Sequence, residues 1–428
     1  MTLMFITFLV ILLLGAPIYV AIGGSALLPL VLGVVPLDAT LVPQATINGM
    51  SNSVLVAVAL FFIAGSLMES SDLTKELLEF ADSLVGHMYG GMGMATIVAS
   101  AFFAALTGSG LAATVAIGSI TIGGMVERRY SKPLAGAVAA TGGALGVLIP
   151  PSNPMIIYAV LSGTSVGALF TAGLVPGILI TVTLSAVMYV IGRKNKLVDT
   201  SRKFSGKAVL KSIWKSKWAL LAPVIILGSI YSGICTPTEA AEIAVLYSIC
   251  YGFLIKRTLR FKTFIMSFRN GAITAATMLV MSGVAGGFGR IITMYQLPQT
   301  IGRFIANFTT NPHIVMLMLL VFLLFTGCFL ETLSQIIILT PIFLPILTSL
   351  GVSPLVFGVI FVLMIEIGFL TPPIGGNLFV AVKLTGEPIM KISKHELPFI
   401  AVFLGYAILF IFCPEVVTFL PKLLGYGV

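Results

Sequence analysis

Nine neutral oxygen-bearing side chains stand in or beside interruptions of an otherwise apolar sequence: Thr107, Ser109, Thr141, Ser152, Asn153, Thr326, Thr332, Thr371 and Asn377. Such oxygens are the ligands a hard cation prefers over sulfur or imidazole. The interruptions are Thr107-Gly108-Ser109-Gly110, Ile149-Pro150-Pro151-Ser152-Asn153-Pro154, Thr326-Gly327-Cys328 and Thr371-Pro372-Pro373-Ile374-Gly375-Gly376. Three prolines in five residues remove amide donors and clash with a continuous helix, so the second of these must break one. Backbone groups unpaired in hydrocarbon are tolerated only where they line a cavity or meet a ligand. Four breaks, two in each half of the chain, therefore form one composite site. Half-helix N-termini there face anionic groups, and freed carbonyls coordinate cations. The competing reading is that Gly, Ser and Thr only let membrane helices pack closely. It does not explain a Pro-Pro break recurring in both halves beside Asn.

The elements that carry these breaks follow from composition. Of 428 residues, 58% are hydrophobic and only 9% charged, against about 25% charged in soluble domains. Apolar segments of roughly 17–25 residues, the length of a membrane span, recur from end to end. The sequence predicts one all-α integral membrane domain. Its first half reads as spans at Leu3–Leu14, Pro17–Val35 and, after a polar joint, Val54–Met68. An amphipathic helix at Asp72–Met88 lies along the interface, its Leu and Val alternating with Lys75, Glu76, Glu79 and Asp82. Gly91–Met125 is a re-entrant hairpin, because each arm is short for a crossing. Pro133–Leu161 is a broken helix, and Val166–Ile191 a span.

The same order recurs in the second half. Trp218–Ile234, Glu239–Ile255 and Ala272–Ile292 read as spans, and Pro298–Phe308 as a short amphipathic stretch. A hairpin at His313–Leu350 and a broken helix at Leu355–Val382 precede a last span at Phe399–Leu420. Asn48-Gly49 recurs as Asn270-Gly271, Gly146 as Gly368 and Pro150-Pro151 as Pro372-Pro373, each 222 positions later, and Thr107-Gly108 recurs as Thr326-Gly327, 219 later. The organisation predicted is a repeat over residues 1–192, with hairpin 91–125 and broken helix 133–161. A basic cytoplasmic linker, 193–217, joins it to a second repeat over 218–428, with hairpin 313–350 and broken helix 355–382. Five crossings per repeat give about ten spans plus two re-entrant hairpins, and an odd count inverts the second repeat.

Charge is distributed to match. The net charge of +9 gathers in short joints at 127–132, 193–217, 256–270 and 383–394, which the positive-inside rule assigns to the cytoplasm. That pattern fits a lipid bilayer and argues against nucleic acid. Cys235, Cys250, Cys328 and Cys413 have no metal or redox spacing and read as buried thiols. The apolar start lacks a basic leader and runs on into further membrane sequence, so no cleaved signal is expected. Glu331, Glu366, Arg290, Glu239 and Glu242 are charges near membrane depth and hence functional candidates, Glu331 first among them, the alternatives being interfacial positions or structural pairs. His87, His313 and His395 all sit at segment ends, so a proton relay lacks its usual parts and sodium fits better. No His-Glu-x-x-His, G-x-S-x-G or phosphate-binding loop is present, which excludes the familiar enzyme classes and ATP hydrolysis. A passive channel is the nearer rival, but two hairpins tipped towards each other would close a continuous pore.

On Thr107–Gly110, Gly146–Pro154, Thr236-Pro237-Thr238-Glu239-Ala240-Ala241 and Gly368–Asn377, the chain resembles the large membrane subunit of TRAP (tripartite ATP-independent periplasmic) transporters. The resemblance implies sodium-driven uptake of organic acids across a bacterial inner membrane by an elevator motion. It also implies a small four-helix membrane subunit and a soluble periplasmic substrate-binding protein. Because the chain starts at its first span, the small subunit is expected to be separate. Family sodium sites fall here on Gly108, Ser109 and Asn153, then on Gly327, Thr371 and Gly375. Ser109 and Ser152 match family substrate contacts, and Thr107, Thr326 and Asn377 stand beside them at the breaks. The chain looks closest to sialic-acid members, with C4-dicarboxylate members the alternative.

Overall fold

The computed structural model describes residues 2–32, 40–197, 204–373 and 375–427. Its first elements are α1 (Thr2–Leu13) and α2 (Ile18–Val31), which pack as a hairpin folded at Gly15. They are about 18 and 21 Å long, shorter than the ~30 Å hydrocarbon core. Residues 33–35, the predicted end of the second span, lie outside the described residues. α3 (Leu41–Met50) and α4 (Val54–Glu69) follow, bent by 54°. The predicted polar joint is thus a helix with a corner, where Asn52 Oδ1 accepts the Val54 amide at 3.0 Å.

α5 (Leu73–Val85) is the amphipathic helix, packed by its apolar face on α6 (Gly91–Thr107). With α7 (Gly110–Glu127), α6 makes the first hairpin. α8 (Lys132–Ala144) ends in a 3-10 turn at Leu145–Val147, and the chain resumes as α9 (Asn153–Ser162) and α10 (Val166–Lys194). The predicted basic linker 193–217 is not all loop. Beyond residues 198–203, which lie outside the described residues, it forms α11 (Gly206–Lys215), set at 68° to α12 (Lys217–Tyr231). Leu210, Ile213 and Trp214 make one face of α11, and its lysines hide that period in the sequence.

α13 (Pro237–Cys250) continues as a π-helical turn over Tyr251–Ile255. α14 (Phe261–Met294), at 34 residues, absorbs much of the predicted joint 256–270. α15 (Leu297–Ala306) precedes the second hairpin, α16 (Pro312–Gly327) and α17 (Thr332–Ser349), and the second broken pair, α18 (Pro354–Phe369) and α19 (Gly376–Thr385). The predicted last span divides into α20 (Ile389–Phe412) and α21 (Glu415–Leu423) at Pro414. Only Cys328 of the four cysteines is buried; Cys250 and Cys413 are exposed.

Two inverted repeats are visible in how the elements exchange partners. α4 packs on α13, and its counterpart α14 packs on α2, the counterpart of α13. Likewise α19 lies on α7 and α8, while α9 lies on α17 and α18. These contacts sort the chain into a frame, α1–α4 with α12–α14, and a core built from both hairpins and both broken helices. The residue that starts each amphipathic helix, Asp72 before α5 and Gln296 before α15, is left-handed, with φ of 56° and 51°. Each turns the chain sharply out of its frame helix. Polarity is inverted as lipid requires: Thr141, Ser152, Asn153, Gln335, Glu366 and Asn377 are buried, whereas Val182, Leu246, Val321 and Phe325 face outward.

Glycine sets how closely each hairpin tip meets its broken helix. A Cβ on Gly146 would lie 2.7 Å from the Ser109 carbonyl oxygen, and one on Gly368 would lie 2.5 Å from Gly327 Cα. Backbone cannot retreat as a side chain can, so Gly368→Ala should lower stability by about 1–3 kcal/mol. Gly123→Ala, with open space at its Cβ, should be neutral or slightly stabilising. Thermal unfolding of the two variants in detergent checks this, and equal melting temperatures would count against the close approach.

Candidate cation and substrate site

The first tip and the first break are joined by one side chain. Asn153 donates its backbone N–H to the Gly108 carbonyl at 3.2 Å and its side-chain Nδ2–H to the Thr107 carbonyl at 3.1 Å. These bonds fix the amide so that Oδ1, buried, accepts from nothing among the described residues. A buried acceptor left without a donor costs roughly 1–3 kcal/mol, which a bound cation would recover. Gly108 (φ 61°) turns the tip, and a Cβ there would meet the Pro151 carbonyl at 2.7 Å. Ser109 then caps α7 by accepting the Ala112 amide at 3.4 Å, and Ser152 caps α9 by accepting the Met155 amide at 3.3 Å. Two helix N-termini, each the positive end of a dipole, thus lie beside one another, linked by the bond from Asn153 N–H to the Gly108 carbonyl.

The second half brings a carboxylate. Glu366, near the end of α18, is buried; its Oε1 accepts the Thr332 hydroxyl at 2.7 Å and its Oε2 the Asn377 Nδ2–H at 3.3 Å. Asn377 Oδ1 in turn accepts the Thr114 hydroxyl at 3.3 Å, and Thr114 also bonds the Gly110 carbonyl at 3.0 Å. One network thus ties both hairpins and the second broken helix to a single acid. Glu331, the N-cap position of α17, accepts the Ser334 hydroxyl at 3.1 Å.

Gly108, Ser109 and Asn153 meet Glu331, Thr332 and Glu366 around a cavity of about 40 Å³, with Phe62 of the frame closing one side. That space suits an ion or a water or two and is far below the ~300 Å³ at which small-molecule pockets begin. No basic residue lines it. Two glutamate side chains and the residue with the unpartnered amide oxygen, Asn153, line it.

The other predicted residues are placed differently. Ser152 is fully buried, donates to the Val147 carbonyl and does not line the cavity. Asn377 is likewise buried within the Glu366 network. Thr107 is buried and donates to the Phe103 carbonyl at 3.3 Å. Thr326 bonds Gln335 Oε1 at 2.8 Å, and Gln335 Nε2–H reaches the Leu330 carbonyl at 3.1 Å, closing the second tip on itself. Gly327 packs on Gly368, and Thr371 bonds the Ile367 carbonyl at 2.7 Å. Gly375 turns at φ 47° beside the Thr371 carbonyl, and Ile374 between them lies outside the described residues. Thr141 is buried on α8 with an unpartnered hydroxyl. Sequence reasoning missed Thr114 and Gln335 altogether; each stands four residues after a tip residue, Gly110 and Glu331, and that helical spacing was the available signal.

An all-helical membrane protein with inverted repeats, paired hairpins and broken helices around an ion-sized cavity has the build of a secondary transporter. Residues 5–416 match the family of the tripartite ATP-independent periplasmic transporter, DctM component, and the chain belongs to that family. It is 40% identical over 96% of its length to the isethionate TRAP transporter permease protein DctMQ of Oleidesulfovibrio alaskensis, spanning 65% of that relative. It is 38% identical to the C4-dicarboxylate TRAP transporter large permease protein of Pseudomonas aeruginosa, over 87% of each chain. It is 36% identical to the sialic acid TRAP transporter large permease protein of Vibrio cholerae, over 90% of each. The fold is shared with the YdaH transporter of Alcanivorax borkumensis at TM-score 0.65 and 16% identity, covering 88% of this chain and 87% of that one.

The Glu366 network predicts a non-additive pair. Thr332→Val removes a donor from a buried carboxylate and should cost about 1–3 kcal/mol in thermal stability. In a Glu366→Met background the same change should cost far less, because the acceptor is gone. Equal costs in both backgrounds would mean the two side chains do not interact.

Proposed function

We propose that this chain is the large permease of a sodium-coupled secondary transporter that carries an organic acid across the bacterial inner membrane. The observation that carries this reading is the cavity at the hairpin tips, where Glu331, Glu366 and the unpartnered Asn153 Oδ1 meet with no basic residue. Sodium needs such oxygens and no proton relay. Gly108, Ser109 and Asn153 are its first ligands, and Gly327, Thr371 and Gly375 offer a second set at the other tip. In the substrate-bound state the acid group is received by the N-termini of α7 and α9. Ser109, which lines the cavity, and Ser152, which is buried outside it here and is uncovered as the tip moves, are the contacts, with Thr107, Thr326 and Asn377 behind them. Relatives named for sialic acid, C4-dicarboxylates and isethionate support a small organic anion as the substrate class.

The basic joints lie on the cytoplasmic side, so the first hairpin opens inward and the second to the periplasm. A periplasmic binding protein delivers the substrate, and a small four-helix subunit joins the frame. The core moves as an elevator. Contacts within the core and within the frame obey the inverted symmetry, but those between them do not. Towards the core, α4 meets chiefly α6 and α9, whereas α14 meets chiefly α17, not the counterparts α16 and α19. Exchanging the two arrangements gives the other end of the stroke. α5 spans the divide, lying on α6 while Glu79 pairs with Lys215 and Glu76 accepts the Tyr251 hydroxyl at 2.9 Å.

Uptake into proteoliposomes, with both partners present and a panel of acids outside, tests the proposal. An inward sodium gradient should drive accumulation. Asn153→Ala and Ser109→Ala should lower it and raise the sodium needed for half-maximal rate about fivefold or more, the equivalent of ~1 kcal/mol per lost ligand. Equal uptake driven by a proton gradient in sodium-free buffer would overturn sodium coupling.

A further inference from the structure

Between the frame and the core lies a second cavity, about 640 Å³, on whose walls, among the described residues, Arg290 carries the single formal charge. It is large enough for an organic acid, as the cavity at the tips is not. α3 contributes Gln44, Asn48 and Asn52 at four-residue spacing, one helical face and its extension. α14 contributes Ser282, Arg290 and Thr293 from the facing side. Among the described residues, Arg290 has no acidic partner within ion-pair distance, and the side-chain amides of Gln44 and Asn48 make no hydrogen bond. Asn52 uses its oxygen on the Val54 amide and keeps its N–H groups free. Among the described residues, the lining is thus a guanidinium among amide donors with no carboxylate to neutralise it.

Where this charge stands is as informative as what surrounds it. Arg290 is four residues from the end of α14, whose other basic residues, Lys262 and Arg269, are at the opposite end among the basic joints. On the membrane sidedness proposed above, Arg290 is periplasmic. The positive-inside bias gives no reason for a cation there. A guanidinium does match the oxyanion of a carboxylate or sulfonate, with two parallel N–H donors. Pro341 of α17 lines this cavity, and Thr332 of the same helix lines the one at the tips. Nine residues of helix separate them, about 13 Å.

We propose that Arg290, with Gln44, Asn48 and Asn52, forms a capture site on the frame. It holds the carboxylate or sulfonate of an organic anion arriving from the periplasm before the core takes it up. The site rests on the transport reading for its purpose, but its anion affinity is a property of this cavity alone. Because the frame stays in place while the core moves, the site raises the local concentration of anion at the outer end of the stroke without travelling with it.

The test is made on the full chain in phosphatidylcholine nanodiscs, with native cysteines replaced by alanine and Ala45→Cys placed in the cavity wall. Rates of modification by the anionic sulfonatoethyl and the cationic trimethylammonioethyl methanethiosulfonates are compared. The ratio of anionic to cationic rate should fall about tenfold on Arg290→Gln and stay near wild type with Arg290→Lys. Succinate or isethionate at millimolar concentration should slow the anionic reagent in wild type and not in Arg290→Gln. An unchanged ratio in Arg290→Gln would overturn the site. So would protection that requires phosphatidylglycerol in the disc and not a soluble acid, since the anion held would then be a lipid headgroup. If the labelling result holds while sodium-driven uptake fails, the capture site stands and the coupling proposal falls.

Discussion

Four helices stop inside the membrane, and the backbone groups they release have to be paired there. This requirement organises the core. Asn153 spends its amide hydrogens on the Thr107 and Gly108 carbonyls of the first tip, and Ser109 and Ser152 accept amides at two of the restarted helices. Gln335 does the equivalent work at the second tip by reaching the Leu330 carbonyl. What remains at the cavity is two glutamates, Glu331 and Glu366, and one neutral amide oxygen without a donor, Asn153 Oδ1. The cation proposed above would satisfy that remainder, because a buried acceptor without a partner is costly.

The same requirement explains why the core is bonded together as one body. Gly146 and Gly368 let each tip touch its broken helix backbone to backbone, and the Glu366 network crosses between the repeats through Asn377 and Thr114. Between core and frame the contacts depart from the inverted symmetry instead of obeying it. A tightly bonded core against a frame met on alternative surfaces can slide without opening its own polar interior to lipid. The 640 Å³ cavity lined by Arg290 lies along the boundary between core and frame.

Much of this was legible in the sequence because the decisive signals are local. Pro150-Pro151 and Pro372-Pro373 break helices wherever they stand, and the glycines at Gly108 and Gly327 announce the hairpin tips, although the second arm of each hairpin, at 18 residues, is longer than expected and of span length. The repeat was readable as a spacing. What escaped depends on tertiary partners or on masked periods. Ser51-Asn52-Ser53 reads as a loop, yet it is only the corner of a bent span. The three lysines of α11 interrupt its apolar positions and conceal an amphipathic helix. Thr114 looks like a solitary hydroxyl in an apolar helix until Asn377, 263 residues away, is brought beside it. Glu366 was recognisable as a charge at membrane depth, but its place at the centre of the network required the fold.

Sodium binding by the isolated chain tests the cation site most directly, because it removes the partners, the substrate and the transport cycle. In detergent at constant ionic strength, sodium should raise the melting temperature saturably, by the equivalent of about 2.7 kcal/mol at one hundred times its dissociation constant. Potassium and choline should not, and Asn153→Ala should abolish the sodium shift while leaving the protein folded. An equal shift with all three salts, or a sodium shift that survives Asn153→Ala undiminished, would contradict the account.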